Sequence, residues 1–123
     1  MKYLNEPIDL IEDNPKIYLG MGIYDIYIIG GWYIELGKFE VLLKNTDKNT
    51  EVIPKKVALK VQDFYKNKRV KKVLSFVVDK GGEYRVQFKN KNSLILKKHG
   101  FPLGYFFGKR IDVREIKIFI DRN

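Results

Sequence analysis

The stretch VLSFVVDKGGEYRVQFKNKNSLIL, residues 73–96, contains the clearest strand–turn–strand pattern in the chain. Asp79 to Gly82 form a turn signal, and apolar side chains alternate with other residues on both sides of it. The inward positions predicted by this alternation are Leu74, Phe76 and Val78 before the turn and Tyr84, Val86 and Phe88 after it. A period of two residues is typical of a half-buried strand, so the stretch predicts two core strands.

Similar short runs recur along the rest of the sequence. Residues 23–29, 32–36, 39–43, 57–61 and 111–120 are rich in branched and aromatic side chains or alternate apolar with polar positions. With the central stretch and residues 94–96 they give about eight strands at short spacing. The pattern predicts an all-β fold with little or no helix, namely a two-sheet antiparallel β-sandwich, either a jelly roll or an immunoglobulin-like key.

Three local features follow from turn-forming residues and from the phase of the alternation. Gly30-Gly31 separates two strand-like runs and predicts a hairpin. The alternation in residues 111–120 slips by one position, which predicts a β-bulge near Arg114-Glu115. Residues 1–20 predict an irregular lead-in or an edge strand, and we expect residues 1–123 to form one domain.

Composition excludes several classes of protein. The chain has no cysteine, so it has neither disulfides nor thiolate metal ligands. No apolar segment approaches the ~18 residues that a membrane-spanning helix needs, and the N-terminal residues lack the pattern of a signal peptide. These observations predict a soluble, cytoplasmic protein without a transmembrane segment.

The net charge of +9 is distributed unevenly. Residues 1–40 carry seven acidic and three basic side chains, whereas residues 41–123 carry eight acidic and twenty-one basic ones. A basic surface attracts nucleic acid, anionic lipid or an acidic protein. Lysine outnumbers arginine nineteen to five, and lysine is also typical of a surface that only keeps a protein soluble. Both interpretations remain open.

The glycine pair before Tyr84 is typical of the tyrosine corner of Greek-key sandwiches, in which a tyrosine near the start of a strand hydrogen-bonds to the preceding loop. Gly82 and Tyr84 are therefore predicted to have structural roles. The same stretch resembles the GOLD domain, the β-sandwich of Golgi cargo receptors and lipid-transfer proteins. The matching residues are Phe76, Gly82, Tyr84, Phe88 and Asn90, followed by Ser93 and Lys97. The resemblance implies a GOLD-like, non-catalytic sandwich that binds proteins or lipid, and it transfers no functional residue.

Catalytic residues are scarce. His99 is the only histidine, and neither Ser75 nor Ser93 lies in the sequence context of an activated nucleophile. Glu35 and Glu40 occupy ordinary outward strand positions. Glu12-Asp13 is predicted to be a solvated turn, because one pair of carboxylates without further spaced ligands is a poor cation site. The sequence predicts no catalytic residues, no metal site and no cofactor.

A basic stretch follows Phe64 and Tyr65 and is predicted to form a loop. Its charged residues are Lys66, Lys68, Arg69, Lys71 and Lys72. Aromatic rings beside lysines can stack on bases while the lysines hold the phosphate backbone. Alternatively, the lysines only solvate the loop or protect a sheet edge from pairing with other chains.

The segment GFPLGYFFG, residues 100–108, is the second candidate contact surface. It concentrates Phe101, Leu103, Tyr105, Phe106 and Phe107 beside the bases Lys109 and Arg110. Exposed aromatic residues next to arginine are typical of protein-binding surfaces. The alternative is a loop that covers one open end of the sandwich.

Together these features favour a small non-catalytic interaction module, for example an immunity or inhibitor-type protein acting by surface binding. Its expected partner is an acidic protein or a second copy of the chain. One alternative is a basic-surface binder of nucleic acid or anionic membrane. A second alternative is a structural subunit that assembles with itself through exposed sheet edges.

Overall fold

The computed structural model describes residues 1–30, 33–57, 62–66, 68–97 and 110–123, with side chains at all of these except 33, 62 and 63. Within these ranges the chain forms twelve strands and two 3₁₀ turns, and no helical segment exceeds three residues. All pairings between the named strands are antiparallel. The predicted all-β, antiparallel sandwich-like fold is therefore confirmed. The strand count exceeds eight because several strands have only two or three residues.

The strands belong to three sheets. The largest has six strands in the order β1, β12, β3, β9 and β7, with β8 also paired to β9; the second has the order β2, β10, β5, β6; and β11 pairs with β4. The strands are β1 (Ile8–Asp9), β2 (Lys16–Leu19), β3 (Gly22–Ile29), β4 (Tyr33–Glu35), β5 (Glu40–Asn45), β6 (Glu51–Val52), β7 (Lys55–Lys56), β8 (Gln62–Tyr65), β9 (Lys68–Val78), β10 (Gly82–Lys89), β11 (Ile95–Lys97) and β12 (Lys117–Arg122). The 3₁₀ turns are Lys91–Ser93 and Val113–Glu115.

One apolar core lies between the sheets. The predicted inward residues Leu74, Phe76, Val78, Tyr84 and Val86 are each at most 5% exposed, and Phe88 packs partly buried against the same core. Burying an apolar side chain of this size stabilises the fold by about 1.5–3 kcal/mol. The alternation of the central stretch is therefore confirmed, and core burial explains it.

The two central strands do not pair with each other. β9 belongs to the six-stranded sheet and β10 to the four-stranded sheet, so the turn at 79–81 crosses from one sheet to the other. The turn at 20–21, between β2 and β3, crosses at the same end, because Leu19 pairs with Gly82 and Gly22 with Val78. We call these two connections the crossing turns. They touch: a Cβ atom at Gly81 would lie 3.3 Å from the Cα of Gly20.

A tyrosine follows each crossing turn and hydrogen-bonds back to it. The Tyr84 hydroxyl donates to the Lys80 carbonyl at 2.7 Å, and the Tyr24 hydroxyl donates to the Gly20 carbonyl at 2.8 Å. The hydrogen bond that a tyrosine corner requires is thus present at Tyr84 and recurs at Tyr24. A Cβ atom at Gly82 would lie 3.1 Å from Asn45 Nδ2, so a larger residue there would displace a buried amide.

Two local predictions were wrong. β3 and β4, the strands on either side of Gly30-Gly31, do not pair as a hairpin, because β3 pairs with β9 and β12 whereas β4 pairs with β11. The phase slip near Arg114 is a 3₁₀ turn rather than a bulge, and Asp112 caps it by accepting the Arg114 backbone N–H at 2.9 Å. A bulge is found in β9 instead, where Ile26 pairs with Leu74 but Tyr27 with Lys72.

The N-terminal residues take part in both main sheets. β1 pairs with β12 at one end of the six-stranded sheet, and β2 is an edge strand of the four-stranded sheet. Lys2 forms an additional bridge to Ile17 in β2. Pro15, which cannot donate a backbone hydrogen bond, directly precedes this edge strand, and its carbonyl accepts the Val86 N–H at 2.8 Å.

Candidate functional site

Most of the predicted aromatic contact surface lies outside the described residues. This applies to Phe101, Leu103, Tyr105, Phe106, Phe107 and Lys109, and also to His99. Arg110 is described, and its guanidinium donates to the carbonyls of Leu94, at 2.9 Å, and Asn92. Arg110 therefore has a structural role, since it ties the C-terminal residues to the chain around β11.

The basic stretch is not the loop that the sequence predicts. β8 ends at Tyr65, β9 begins at Lys68, and these two residues are paired. Lysine is uncommon in strands, so the composition of residues 66–72 conceals the strand. Lys66 follows β8 with a left-handed φ of 47°, and its ammonium lies 5.4 Å from the centroid of the Tyr65 ring.

The bases of β9 are divided between the two faces of the sheet. Lys72 pairs with Tyr27 and lies on the outer face, whereas Lys71 pairs with Ile28, whose side chain faces the core. Burial lowers the pKa of the Lys71 ammonium below its ordinary value of 10.5, and the positive charge of Arg69 lowers it further. The five predicted bases therefore do not form one continuous surface.

Lys68 and Arg69 converge with a third base at the end of β3. They line a groove of about 460 Å³ together with Lys117, Glu115, Ile29, Gly30 and Ile111. Lys117 is also 3.9 Å from Asp9, and the Arg69 carbonyl accepts the Gly30 N–H at 2.7 Å. The groove is lined by apolar residues and by three bases. The carboxylate of Glu115 offsets part of their positive charge.

Asp25 is a buried charge that the sequence analysis missed. It is 4% exposed, its Oδ2 lies 3.7 Å from the Lys72 ammonium, and its Oδ1 has no hydrogen-bond partner. Asp121 is directly opposite on β12. An unpaired buried carboxylate oxygen is costly, so Lys72 serves to neutralise Asp25. An acid within the apolar run IYDIYII was the available signal.

A second apolar cluster lies on the outer face of the six-stranded sheet. Ile29, Val70 and Phe119 are buried there, and Tyr27 and Tyr65 pack against them. The Phe119 ring stacks on Tyr27 at 4.8 Å and meets Tyr65 at 4.9 Å between centroids. Tyr65 belongs to β8, so this strand, which pairs with β9, contributes a ring that packs against the cluster.

Farther along the same face, towards the crossing turns, three aliphatic side chains are exposed. We call Ile23, Ile53 and Val77 the apolar patch; they are 50%, 64% and 55% exposed. Ile23 is directly opposite Val77, and both Val77 and Ile53 line a shallow groove of about 360 Å³. The outward faces of antiparallel sheets are usually polar, so apolar residues at outward positions were a signal that the sequence analysis did not use.

The outer face of the four-stranded sheet carries a group of charged and polar side chains beside the exposed Tyr18 and the buried Leu42. Lys16, Arg85 and Lys44 are directly opposite one another on β2, β10 and β5, and we call them the cation row. Glu83 forms an ion pair with Lys16 at 3.5 Å. Like charges in directly opposite positions destabilise a sheet. The cation row is also a feature that sequence analysis missed, because the strand register creates it.

Neither a metal centre nor a relative supplies a function. In the described ranges, no group of three or more His, Cys, Asp or Glu side chains could hold a metal ion. No helix there is long and apolar enough to cross a membrane. No protein-family model, curated protein or solved structure matches the chain. The GOLD resemblance therefore rests on the residues quoted for it alone.

Proposed function

We propose that this protein is a non-catalytic interaction module that binds an acidic partner protein through the apolar patch. The observation that supports the proposal most directly is the exposure of Ile23 and Val77 at directly opposite outward positions, with the exposed Ile53 lining the same groove as Val77. An immunity or inhibitor-type protein, which acts by covering a surface of its target, is one form of this function.

The patch has the physical properties of a binding surface. Ile23 and Val77 lie on the two longest-paired strands of the six-stranded sheet, which hold their side chains in fixed positions. A rigid apolar surface loses little conformational freedom on binding, and it gains free energy as water leaves it. Contiguous apolar groups on a surface are typical of protein contacts.

Charge determines the kind of partner. Lys55 lines the same groove as Ile53 and Val77, and the chain as a whole has a net charge of +9. A partner with an apolar centre and an acidic rim would match both features. Complementary charge accelerates association and excludes other basic proteins.

The test compares the double variant Ile23→Thr/Val77→Thr with the control Tyr18→Thr. Threonine keeps the branched shape that suits a strand, so folding should be retained. Tyr18 is 61% exposed but lies on the other main sheet. Tagged proteins are used to capture partners from the source cells with and without nuclease treatment, at low and high salt, and the captured acidic protein is then purified and titrated calorimetrically.

We expect the double variant to bind the purified partner at least about tenfold more weakly, and the control to bind like the wild type. Equal affinity of the double variant and the wild type would overturn the proposal. Capture that disappears with nuclease would instead identify nucleic acid as the ligand and would also overturn it.

A further inference from the structure

We infer that the outer face of the four-stranded sheet binds a phosphate-type oxyanion between Lys44 and Arg85. This site lies on the opposite sheet from the apolar patch and goes beyond the proposed function. It is a cavity of about 310 Å³ at the edge of the 45–49 turn. Its lining residues are Asn14, Lys44, Asn45, Thr46, Asn49, Arg85 and Gln87, with no carboxylate among them.

The donors that line this cavity are available to a ligand. Among the residues that the structure describes, Lys44, Arg85, Gln87 and Asn49 make no side-chain hydrogen bond or ion pair. Glu83, the acid next to Arg85 in β10, is already paired with Lys16. Glu51 is opposite Lys44 on β6 but forms no ion pair with it.

The strand register places the side chains of Lys44 and Arg85 next to each other. Arg85 is directly opposite Lys44 on one side and Lys16 on the other, so three positive charges cross adjacent strands. Without a ligand this arrangement is repulsive. An oxyanion between Lys44 and Arg85 would accept charge-assisted hydrogen bonds from both and would convert the repulsion into attraction.

The turn beside the cations is held in place by its own hydrogen bonds. Asn45 is 2% exposed, and its Oδ1 accepts the backbone N–H groups of Asp47 and Lys48, each at 2.9 Å. This turn positions Asn49, which has a left-handed φ of 55°. The edge of the cavity is therefore fixed before any ligand binds.

The arrangement of donors favours a tetrahedral oxyanion over a carboxylate. Arg85 offers a planar pair of N–H groups, Lys44 a point charge, and the amides of Gln87 and Asn49 neutral donors. A carboxylate has two oxygens in one plane, whereas phosphate can accept hydrogen bonds from several directions. Inorganic phosphate and a small phosphomonoester share this chemistry.

The experiment follows backbone amide resonances while inorganic phosphate, a small phosphomonoester or sodium chloride is added at equal ionic strength. We expect saturable shifts for residues 44–49 and 85–87 with phosphate or the phosphomonoester, and none with chloride. Tighter binding of phosphate would identify the free ion as ligand, and tighter binding of the ester would identify a phosphorylated small molecule. Both results support the site.

The variants Arg85→Gln and Lys44→Gln should each weaken binding about tenfold, because each removes one charge-assisted contact. The control Lys89→Gln removes an exposed base from the outer face of the same strand and should leave binding unchanged. Linear shifts that chloride reproduces, saturable shifts that map to another surface, or unchanged binding by Arg85→Gln would each overturn the inference. None of these results bears on the apolar patch, so the two proposals fail independently.

Discussion

The two outer faces of the sandwich are built from strands with the same alternation, yet they carry different chemistry. The outward residues of the six-stranded sheet include a buried aromatic cluster around Phe119, the Asp25–Lys72 ion pair and the exposed apolar patch. The outward residues of the four-stranded sheet include the cation row and its polar neighbours, and Tyr18 and Leu42 are apolar residues on the same face.

This contrast shows that the chemistry of the side chains varies more at outward positions of the strands than at inward positions. Inward positions on both sheets are constrained by one shared core, so most of them are apolar, with Lys71 and Asn45 as polar exceptions. Outward positions carry no such constraint, and a buried charge or an exposed aliphatic group there requires its own explanation. The candidate binding residues of this protein therefore lie on the outward sides of its strands.

The largest expected effect comes from Phe119→Ala, which removes the centre of the outer aromatic cluster. The ring is 4% exposed and contacts both Tyr27 and Tyr65, so its loss should lower the free energy of unfolding by about 3–5 kcal/mol. Urea denaturation measures the change. Gln87→Ala, at an outward position of the four-stranded sheet, should change it by less than about 0.5 kcal/mol. Equal losses would show that the two faces are energetically alike.

Much of the architecture can be predicted from sequence, because alternation needs only local spacing. It correctly identified residues such as Val78 and Tyr84 as inward. It could not show that β9 and β10 belong to different sheets, because a short turn has the same residue types whether its strands pair or separate. The hairpin predicted at Gly30-Gly31 failed for the same reason.

The candidate sites were harder to predict because they depend on contacts distant in sequence. The outward parity of Ile23 and Val77 is readable, but their exposure depends on which elements cover that face. The cation row exists only because β10 pairs with both β2 and β5 in one particular register. No local pattern encodes that register. The positive charge of the basic stretch could be predicted from the sequence, but its strand structure could not.

A second, smaller effect is expected from Lys72→Met, which leaves the buried Asp25 carboxylate without its cation. The loss should be about 3 kcal/mol, since an uncompensated buried charge is costly. The double variant Asp25→Val/Lys72→Met removes both charges and should recover most of that stability. A double-mutant cycle in urea measures the coupling. A double variant no more stable than Lys72→Met would contradict this account of the ion pair.

The smallest effect, and one of opposite sign, is expected from Arg85→Glu in the cation row. The acid would be directly opposite Lys16 and Lys44, and it should raise the free energy of unfolding by about 1 kcal/mol. High salt should reduce the gain. The matched change Lys89→Glu would place an acid opposite Glu40 and should not stabilise. Thermal unfolding at low and high salt distinguishes the two, and destabilisation by Arg85→Glu would refute the electrostatic interpretation.

The crossing turns also have a consequence for the route by which the chain folds. Leu19 must meet Gly82 in one sheet while Gly22 meets Val78 in the other, so segments from opposite halves of the chain come together at one end. Closing such long loops costs conformational entropy before the contacts that offset this cost have formed. Folds dominated by pairings between distant residues therefore fold in about milliseconds to seconds. Because each turn joins both sheets, neither sheet completes its pairing independently of the other. The end that carries Tyr24 and Tyr84 is therefore where we expect the rate-limiting step of folding to occur.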